Sequence, residues 1–385
     1  MTPLLALATA WWAVMTAVPL VAASRARRAF PENGGRPTPI DLLVRPCTGT
    51  PVHLEEALLS TGAARGLIGA RVRFTVDDAN DPALPVAQAA AQALRDRGLD
   101  AWAVVASGPG ANRKAAQLLA IVKTERPEGP VVVVDADVDL TDEPLDQLAA
   151  AAHAPGFGAA WRPVVEIAGT TPADAASAAL LGASLHAFAL LGHLDPHGLV
   201  GKLFAFAPSR IRAAGHDVER LLSLGLDTLG EDMAFAAGLQ KAGLHIALCP
   251  GAGRSLLSGR TWDTVVERYT RWILVIRTQR PGWLVSYPLL FLAAPLLVMT
   301  GLGLALSGEM AGLTLVASTL FSRLLTARLA IRLSGRRTPP GPGALLAADR
   351  LLATAFLRAL RARDVSWGGR RIELRHLRPL ESPPA

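Results

Sequence analysis

The sequence predicts an α/β domain set between apolar helices at both ends of the chain. Three observations predict it. Strand-like apolar runs alternate with amphipathic helical patterns from Ile40 to about Gly251. Aspartates cluster just after two of those runs, at the strand ends where open α/β sheets bind ligands. Uncharged stretches long enough to cross a bilayer flank the block. With 385 residues, the chain has room for more than one domain.

The first element is Leu4–Ala23, an uncharged run of about 20 residues. Arg25, Arg27 and Arg28 follow it at once. Positive charge flanks the cytoplasmic end of a span, so residues 1–24 read as an uncleaved anchor with the next domain inside the cell. A cleaved signal peptide would carry its basic residues ahead of the apolar run. The block that follows pairs "IDLLV" with the helical "LEEALLS", "RVRFTV" with "PVAQAAAQALRDRG", and "AWAVVAS" with "NRKAAQLLAIVKT". "VVVVDAD" then precedes "EPLDQLAAAA", and "LHIALCP" follows "DMAFAAGLQKAG". This pattern predicts a parallel sheet in a cytosolic domain spanning residues 38–280, closed by an interfacial helix. Trp283–Leu306 is a second span, and the run after "SGE" returns to the cytosol, making residues 281–332 a hairpin. Arg323 and Arg328 there are read as snorkelling to the headgroups, next to "SGRR". Residues 333–385 complete the chain as an amphipathic interfacial helix and a basic tail.

The net charge is +7, with arginine in excess. A basic balance suits an anionic membrane or an anionic substrate. No basic patch is interleaved with aromatics and no zinc-ligand spacing occurs, so no nucleic-acid partner is expected. Cys47 and Cys249 form neither a disulfide framework nor a metal-ligand set.

The chemistry lies in the acids. "GPVVVVDADVDL" ends a fully apolar strand in Asp135, Asp137 and Asp139. "VDDANDPA" places Asp77, Asp78 and Asp81 after another strand, and Glu231 and Asp232 open a helix. Taken singly, turns and helix-dipole complementarity explain each cluster. Together, an Asp-x-Asp pair can present oxygens to Mg²⁺ or Mn²⁺, hard cations that bind one or two carboxylates plus substrate phosphates. Such a cation neutralises a departing diphosphate. Transfer onto a hydroxyl then needs a general base, for which Asp232 is the candidate, with Glu231 beside it. "RYTRW" adds Arg268, Arg271 and Trp272 on one helical face, suited to gripping phosphate and packing on a sugar or lipid. An amphipathic helix on anionic lipid explains that motif alone equally well.

These segments, in this order, resemble the membrane-bound family 2 and family 21 glycosyltransferases, most closely the ceramide glucosyltransferase-like group. "VRPCTG" stands where the family has a Lys-Pro-x-x-Gly segment. "VDDANDPALPV" is similar to its first aspartate segment, "GANRKAAQL" to its Asn-Pro-Lys segment, and "DADVD" to its second aspartate motif. "GEDMAF" matches the third, "RYTRW" the (Gln/Arg)-x-x-Arg-Trp motif, and "DVSWGGRRIEL" the Trp-x-Gly-Arg-type ending. The resemblance covers nearly the whole chain. It implies a GT-A nucleotide-sugar-binding fold and inverting transfer of one sugar from a UDP-sugar to a lipid hydroxyl, with ceramide-like, hopanoid and glycerolipid acceptors all open. By the same resemblance, Asp78 and Asp81 contact the nucleoside and Lys114 serves the donor. Asp135 and Asp137 hold Mg²⁺ or Mn²⁺ and the diphosphate, and Asp232 is the base. Arg268, Arg271 and Trp272 close over donor and acceptor.

The sequence departs from the family at several points. Arg45 replaces a lysine, Arg113 a proline and Gly368 an arginine, and the segment before Glu231 is long. The alternatives are a processive polysaccharide synthase, which shares the Arg-Trp motif but needs a polymer channel, and a non-catalytic scaffold, which would lose the acids. In "HLDPH", Pro196 breaks the helix that a His193/His197 metal pair would need. Asp139 is read as a turn cap, and Ser255 and Ser258 as ordinary loop serines.

Overall fold

A computed structural model describes residues 2–26, 37–167, 169–335, 339–367 and 370–377. Arg27, Arg28, the arginines of "SGRR" and Gly368 lie outside the described residues. The chain divides into two compact units, each built from separate stretches. One comprises Met1–Ala29, Ala168–Leu194 and Gly259–Arg361; the other comprises Phe30–Ile167, Asp195–Ser258 and Ala362–Ala385.

The second unit is the α/β body. Its strands are β1 (Leu42–Pro46), β2 (Arg71–Val76), β3 (Asp100–Val105), β4 (Val131–Val134), β5 (Val138–Asp139) and β6 (Phe157–Trp161). They continue as β7 (Val164–Glu166), β8 (Leu203–Phe206), β9 (His245–Leu248) and β10 (Gly253–Ser255), and end in β11 (Asp364–Trp367) and β12 (Arg370–Glu373). A seven-stranded sheet runs β3-β2-β1-β4-β8-β6-β9. Its β3, β2, β1 and β4 are mutually parallel, and their connections carry the helices Ala83–Arg95 and Arg113–Glu125. The prediction of a parallel sheet holds for these four strands and fails at β8, which pairs antiparallel with both β4 and β6. The apolar stretches "LFAF" and "FGAAW" are too short to stand out from their helical surroundings by periodicity alone.

The four valines of β4 are fully buried, as expected for a central strand covered on both faces. Val132 and Val134 share one core with Phe74, Leu94, Leu148 and Leu203. A small sheet, β5-β10-β7, continues directly from the end of β4. β11 and β12 form an antiparallel pair across which Arg371 meets Asp364 at 2.7 Å.

The first unit is helical. Among its described residues, three helical stretches are long and apolar enough to cross a membrane: Pro3–Ala26, Pro172–Leu194 and Ala311–Ser334. A bent pair, Pro281–Phe291 and Ala293–Leu306, adds a fourth if it counts as one span. Trp283–Leu306 reads from the sequence as a second span; in the structure the chain bends by 48° between the two pieces. Pro288 lies in the π-helical turn Tyr287–Phe291 and Pro295 in the first turn after it, the residue type and the local geometry that produce helix kinks. Pro172–Leu194 carries no membrane signal in the reading above because it falls inside the soluble pattern. The window of this stretch that meets the length and hydropathy test is 83% buried within the protein, and a helix buried on all sides is apolar all round.

Helix Pro3–Ala26 packs Leu5, Ala8 and Met15 against Ala293, Leu297 and Leu315. Trp12 Nε1 donates to Ser322 Oγ at 3.0 Å. Helices Ala293–Leu306 and Ala311–Ser334 touch through Gly301 and Gly312. A Cβ on Gly312 would stand 2.3 Å from the Gly301 carbonyl oxygen, a small-residue contact of the kind that lets apolar helices approach closely. Arg323 does not snorkel. It donates to Asp349 Oδ1 at 2.9 Å and to the Ala183 carbonyl at 3.0 Å, because an arginine buried among helices needs partners there. Asp349 lies on Pro342–Arg361, whose Leu345, Leu351, Leu352 and Ala355 are buried on one face.

Candidate active site

The site is built at the carboxyl edge of β4, where the sheet changes direction. Asp135 follows β4 directly, and its backbone N–H donates to the Lys202 carbonyl at 2.9 Å. This bond ties the aspartate loop to the start of the antiparallel strand β8. Asp137 precedes β5, and the β5–β10 register sets Val138 opposite Ser255. The Ser255 hydroxyl donates to Asp137 Oδ2. Ser255 is therefore a partner of the aspartate pair rather than an ordinary loop serine. Asp139 accepts from the backbone N–H and hydroxyl of Thr141 at 2.9 and 2.7 Å, as expected of a turn cap.

Arg45 holds the loop from beneath. It is completely buried on β1. One guanidinium nitrogen donates to the Asp135 and Val138 carbonyls at 3.1 and 2.6 Å, the other to the Ala57 carbonyl and Thr61 Oγ1 at 2.5 and 2.9 Å. Burial pulls its pKa down to about 10, which still leaves it charged at neutral pH. Arg45 fixes the backbone from which both aspartates project.

Two ammonium groups join the acids. Lys114 Nζ donates to Asp135 Oδ1 at 2.6 Å and to the Gly201 carbonyl at 2.6 Å, and lies 3.1 Å from Glu231 Oε1. Burial alone would lower its pKa, but the carboxylates of Asp135 and Glu231 more than offset this and hold it above the usual lysine range. Lys202 Nζ stands 2.7 and 2.6 Å from the two oxygens of Asp137 and 3.6 Å from Asp135 Oδ2.

Glu231 and Asp232 open the helix Glu231–Lys241. Glu231 Oε2 accepts from Asn112 Nδ2 at 3.1 Å. Asn112 also caps the helix bearing Lys114, its side chain accepting from Ala115 N. Asp232 Oδ2 accepts from the Gly201 backbone N–H at 2.8 Å. A Cβ on Gly201 would press to 3.1 Å from Glu231 Oε1 and 3.2 Å from Asp232 Oδ2, so a side chain here would shift both acids by a few tenths of an ångström. The two neighbouring acids diverge. Desolvation acts to raise Glu231, but Lys114 and the Asn112 amide outweigh it and hold it low. Desolvation and the charge of Glu231 push Asp232 up to about 6. Acids whose surroundings drive their pKa values apart are the arrangement from which acid–base roles arise.

The structure thus brings together Lys114, Asp135, Asp137, Glu231 and Asp232, all expected from the sequence. It adds Lys202, Ser255, Gly201, Asn112 and Arg45. The one sequence signal for Lys202 is a lone ammonium at the start of the apolar run "LFAFAP". Asp78 and Asp81 lie at the end of β2, beside the end of parallel β1. Asp81 accepts from Thr48 Oγ1, Gly49 N and Ala83 N at 3.1, 2.8 and 2.9 Å, which latches the "CTG" loop to the following helix. Asp78 is exposed and accepts from Asn80 N at 2.8 Å. Arg268, Arg271 and Trp272 belong to the helical unit, on Trp262–Gln279. The Arg268 guanidinium lies 4.6 Å over the Trp272 ring, whose edge-on neighbour is Tyr269 at 5.0 Å.

Among the described residues, no three metal-ligating side chains converge on one point. Asp135 and Asp137 do converge on one, since a single ammonium reaches both. Two carboxylates and a cationic point between them fit Mg²⁺ or Mn²⁺, which complete their shells with water and phosphate oxygens.

The α/β body thus gathers a carboxylate pair, two ammoniums and a raised acid at one sheet edge, the kind of cluster found at functional sites. The profile of glycosyl transferase family 21 matches residues 4–378; the chain belongs to that family and is a glycosyltransferase. No curated protein matches the chain as a relative. Solved structures similar to it include a mannosyltransferase from Pyrobaculum calidifontis in complex with GDP-Man and Mn²⁺. It is 16% identical, with 93% of this chain and 99% of that one covered, at a TM-score of 0.47. Glucosyl-3-phosphoglycerate synthase from Mycobacterium tuberculosis is 15% identical over 63% and 78% of the two chains, at 0.34. Mannosyl-3-phosphoglycerate synthase from Rubrobacter xylanophilus is 15% identical over 66% and 75%, at 0.37.

Proposed function

We propose that the chain transfers one sugar, with inversion, from a UDP-sugar to a lipid hydroxyl at the cytosolic membrane face. The observation that carries the catalytic part is the Asp232 carboxylate. It is held by the Gly201 N–H, raised to about 6, and set beside an acid that stays ionised. A base of that pKa is ionised at neutral pH yet accepts a proton more readily than an ordinary carboxylate. Asp232 takes the acceptor hydroxyl proton as that oxygen attacks the anomeric carbon, and the sugar–phosphate bond breaks on the opposite side. Lys114 and Asn112 keep Glu231 ionised and fixed, so its charge continues to favour proton uptake by Asp232.

Asp135 and Asp137 would hold the divalent cation, whose chemistry is neutralisation of the diphosphate charge. Asp78 and Asp81, by their place beside the β1 and β2 ends, are assigned to the nucleoside. Arg268, Arg271 and Trp272 are assigned to the donor diphosphate and the acceptor. A lipid acceptor is supported by the apolar helices carried in the same chain.

The test is transfer and donor binding in detergent with the full chain. Asp232→Asn should lower transfer by about 10²–10⁴-fold while UDP-sugar affinity changes little. Full activity in that variant removes Asp232 from the role of base. UDP release should require Mg²⁺ or Mn²⁺, and turnover that is unchanged by chelation would count against the assignment of Asp135 and Asp137.

A further inference from the structure

Lys202 takes no part in the reaction assigned above, yet it occupies the middle of the aspartate pair. We propose that Lys202 is the resident counter-ion of Asp135 and Asp137, and that the divalent cation takes its site by displacing this ammonium. The inference rests on the cation site proposed above and adds a competitor built into the chain.

The first support is position. The Lys202 ammonium lies 2.6 and 2.7 Å from the Asp137 oxygens and 3.6 Å from Asp135 Oδ2. Mg²⁺ needs such oxygens at about 2.0–2.1 Å, so ammonium and metal cannot hold the same point together. The second is the tether. The Lys202 backbone is pinned where its carbonyl accepts from Asp135 N, whereas the ammonium sits at the end of a flexible four-carbon stem. It can leave the aspartates without disturbing β8. The third is charge. A divalent cation at the aspartates takes over the neutralisation that the Lys202 ammonium supplies at rest, and the displaced ammonium remains as positive charge available to the donor. Lys114 is the less mobile of the two, being shared among Asp135, Glu231 and the Gly201 carbonyl.

The experiment is a titration of the full chain in detergent with Mn²⁺ alone, reading free Mn²⁺ by electron paramagnetic resonance. Lys202→Met and Lys202→Gln are the test variants, two uncharged side chains so that a folding defect in one leaves the other. Both should bind Mn²⁺ on the order of tenfold more tightly than the parent chain, since the competitor is gone. Lys202→Arg keeps a cation able to bond both Asp137 oxygens, and should bind no more tightly than the parent. Equal or weaker Mn²⁺ binding in both uncharged variants overturns the proposal, because Lys202 would then be a support of the site rather than its competitor. Asp137→Asn binding Mn²⁺ as well as the parent overturns the cation site itself, an outcome separable from the behaviour of Lys202.

Discussion

Two regions of this molecule bury charge, and they do it differently. In the helical unit, acids and arginines meet as discrete pairs: Arg260 with Asp174 at 2.7 Å and Arg323 with Asp349 at 2.9 Å. At the edge of β4, two lysines are shared among the three carboxylates of Asp135, Asp137 and Glu231, and the adjoining Asp232 is raised to about 6. A closed pair satisfies both charges and fixes a packing arrangement. An open cluster, in which each ammonium serves more than one carboxylate beside an acid whose pKa is raised, is the kind of arrangement found at functional sites.

The comparison can be broken at its closed end. Asp349→Ala leaves Arg323 buried without its carboxylate and should cost about 3–5 kcal/mol, read as a lower unfolding midpoint in detergent. The double change Arg323→Met with Asp349→Leu should recover most of that loss. If the single variant is as stable as the parent, the pair is not a closed structural unit.

A smaller effect sharpens the open end. Asp232 acts as an ionised base, so kcat/KM should fall about tenfold per pH unit as pH drops below about 6. The stability linkage runs the other way. A carboxylate raised from 3.8 to about 6 stabilises the fold most below its unfolded value and loses that contribution as pH rises through about 6. The acid arm of the activity profile should therefore not be an unfolding transition. Coincidence of the two would remove the assignment. Smallest is Ser255→Ala, which takes one hydrogen-bond donor from Asp137. It should weaken Mn²⁺ binding by about tenfold, the lower end of what partners one step removed from a metal contribute. No change would place Ser255 outside the site.

The parallel half of the sheet was readable because its strands are apolar runs separated by periodic helices; "RVRFTV" coincides with β2 residue for residue. β6 and β8 were not, being short, and an antiparallel insertion leaves no mark on local periodicity. Asp135, Asp137 and Asp232 were readable because acids at strand ends and helix starts follow local rules. Lys202 and Ser255 were not, because each reaches the aspartates only across strands that pair far apart in sequence. Arg45 stood out as a departure from the family pattern, but nothing local showed that its guanidinium would bind carbonyls at both ends of the aspartate loop.

By itself, then, the sequence determined the alternation of strands and helices, the apolar helices near both ends and the identity of the acids, all set by short-range periodicity and residue chemistry. Only the tertiary structure decided which cations neutralise those acids and which acid is left raised. Those outcomes depend on distances of a few ångströms between residues tens to more than a hundred positions apart, and electrostatic energy at such range is fixed by the fold.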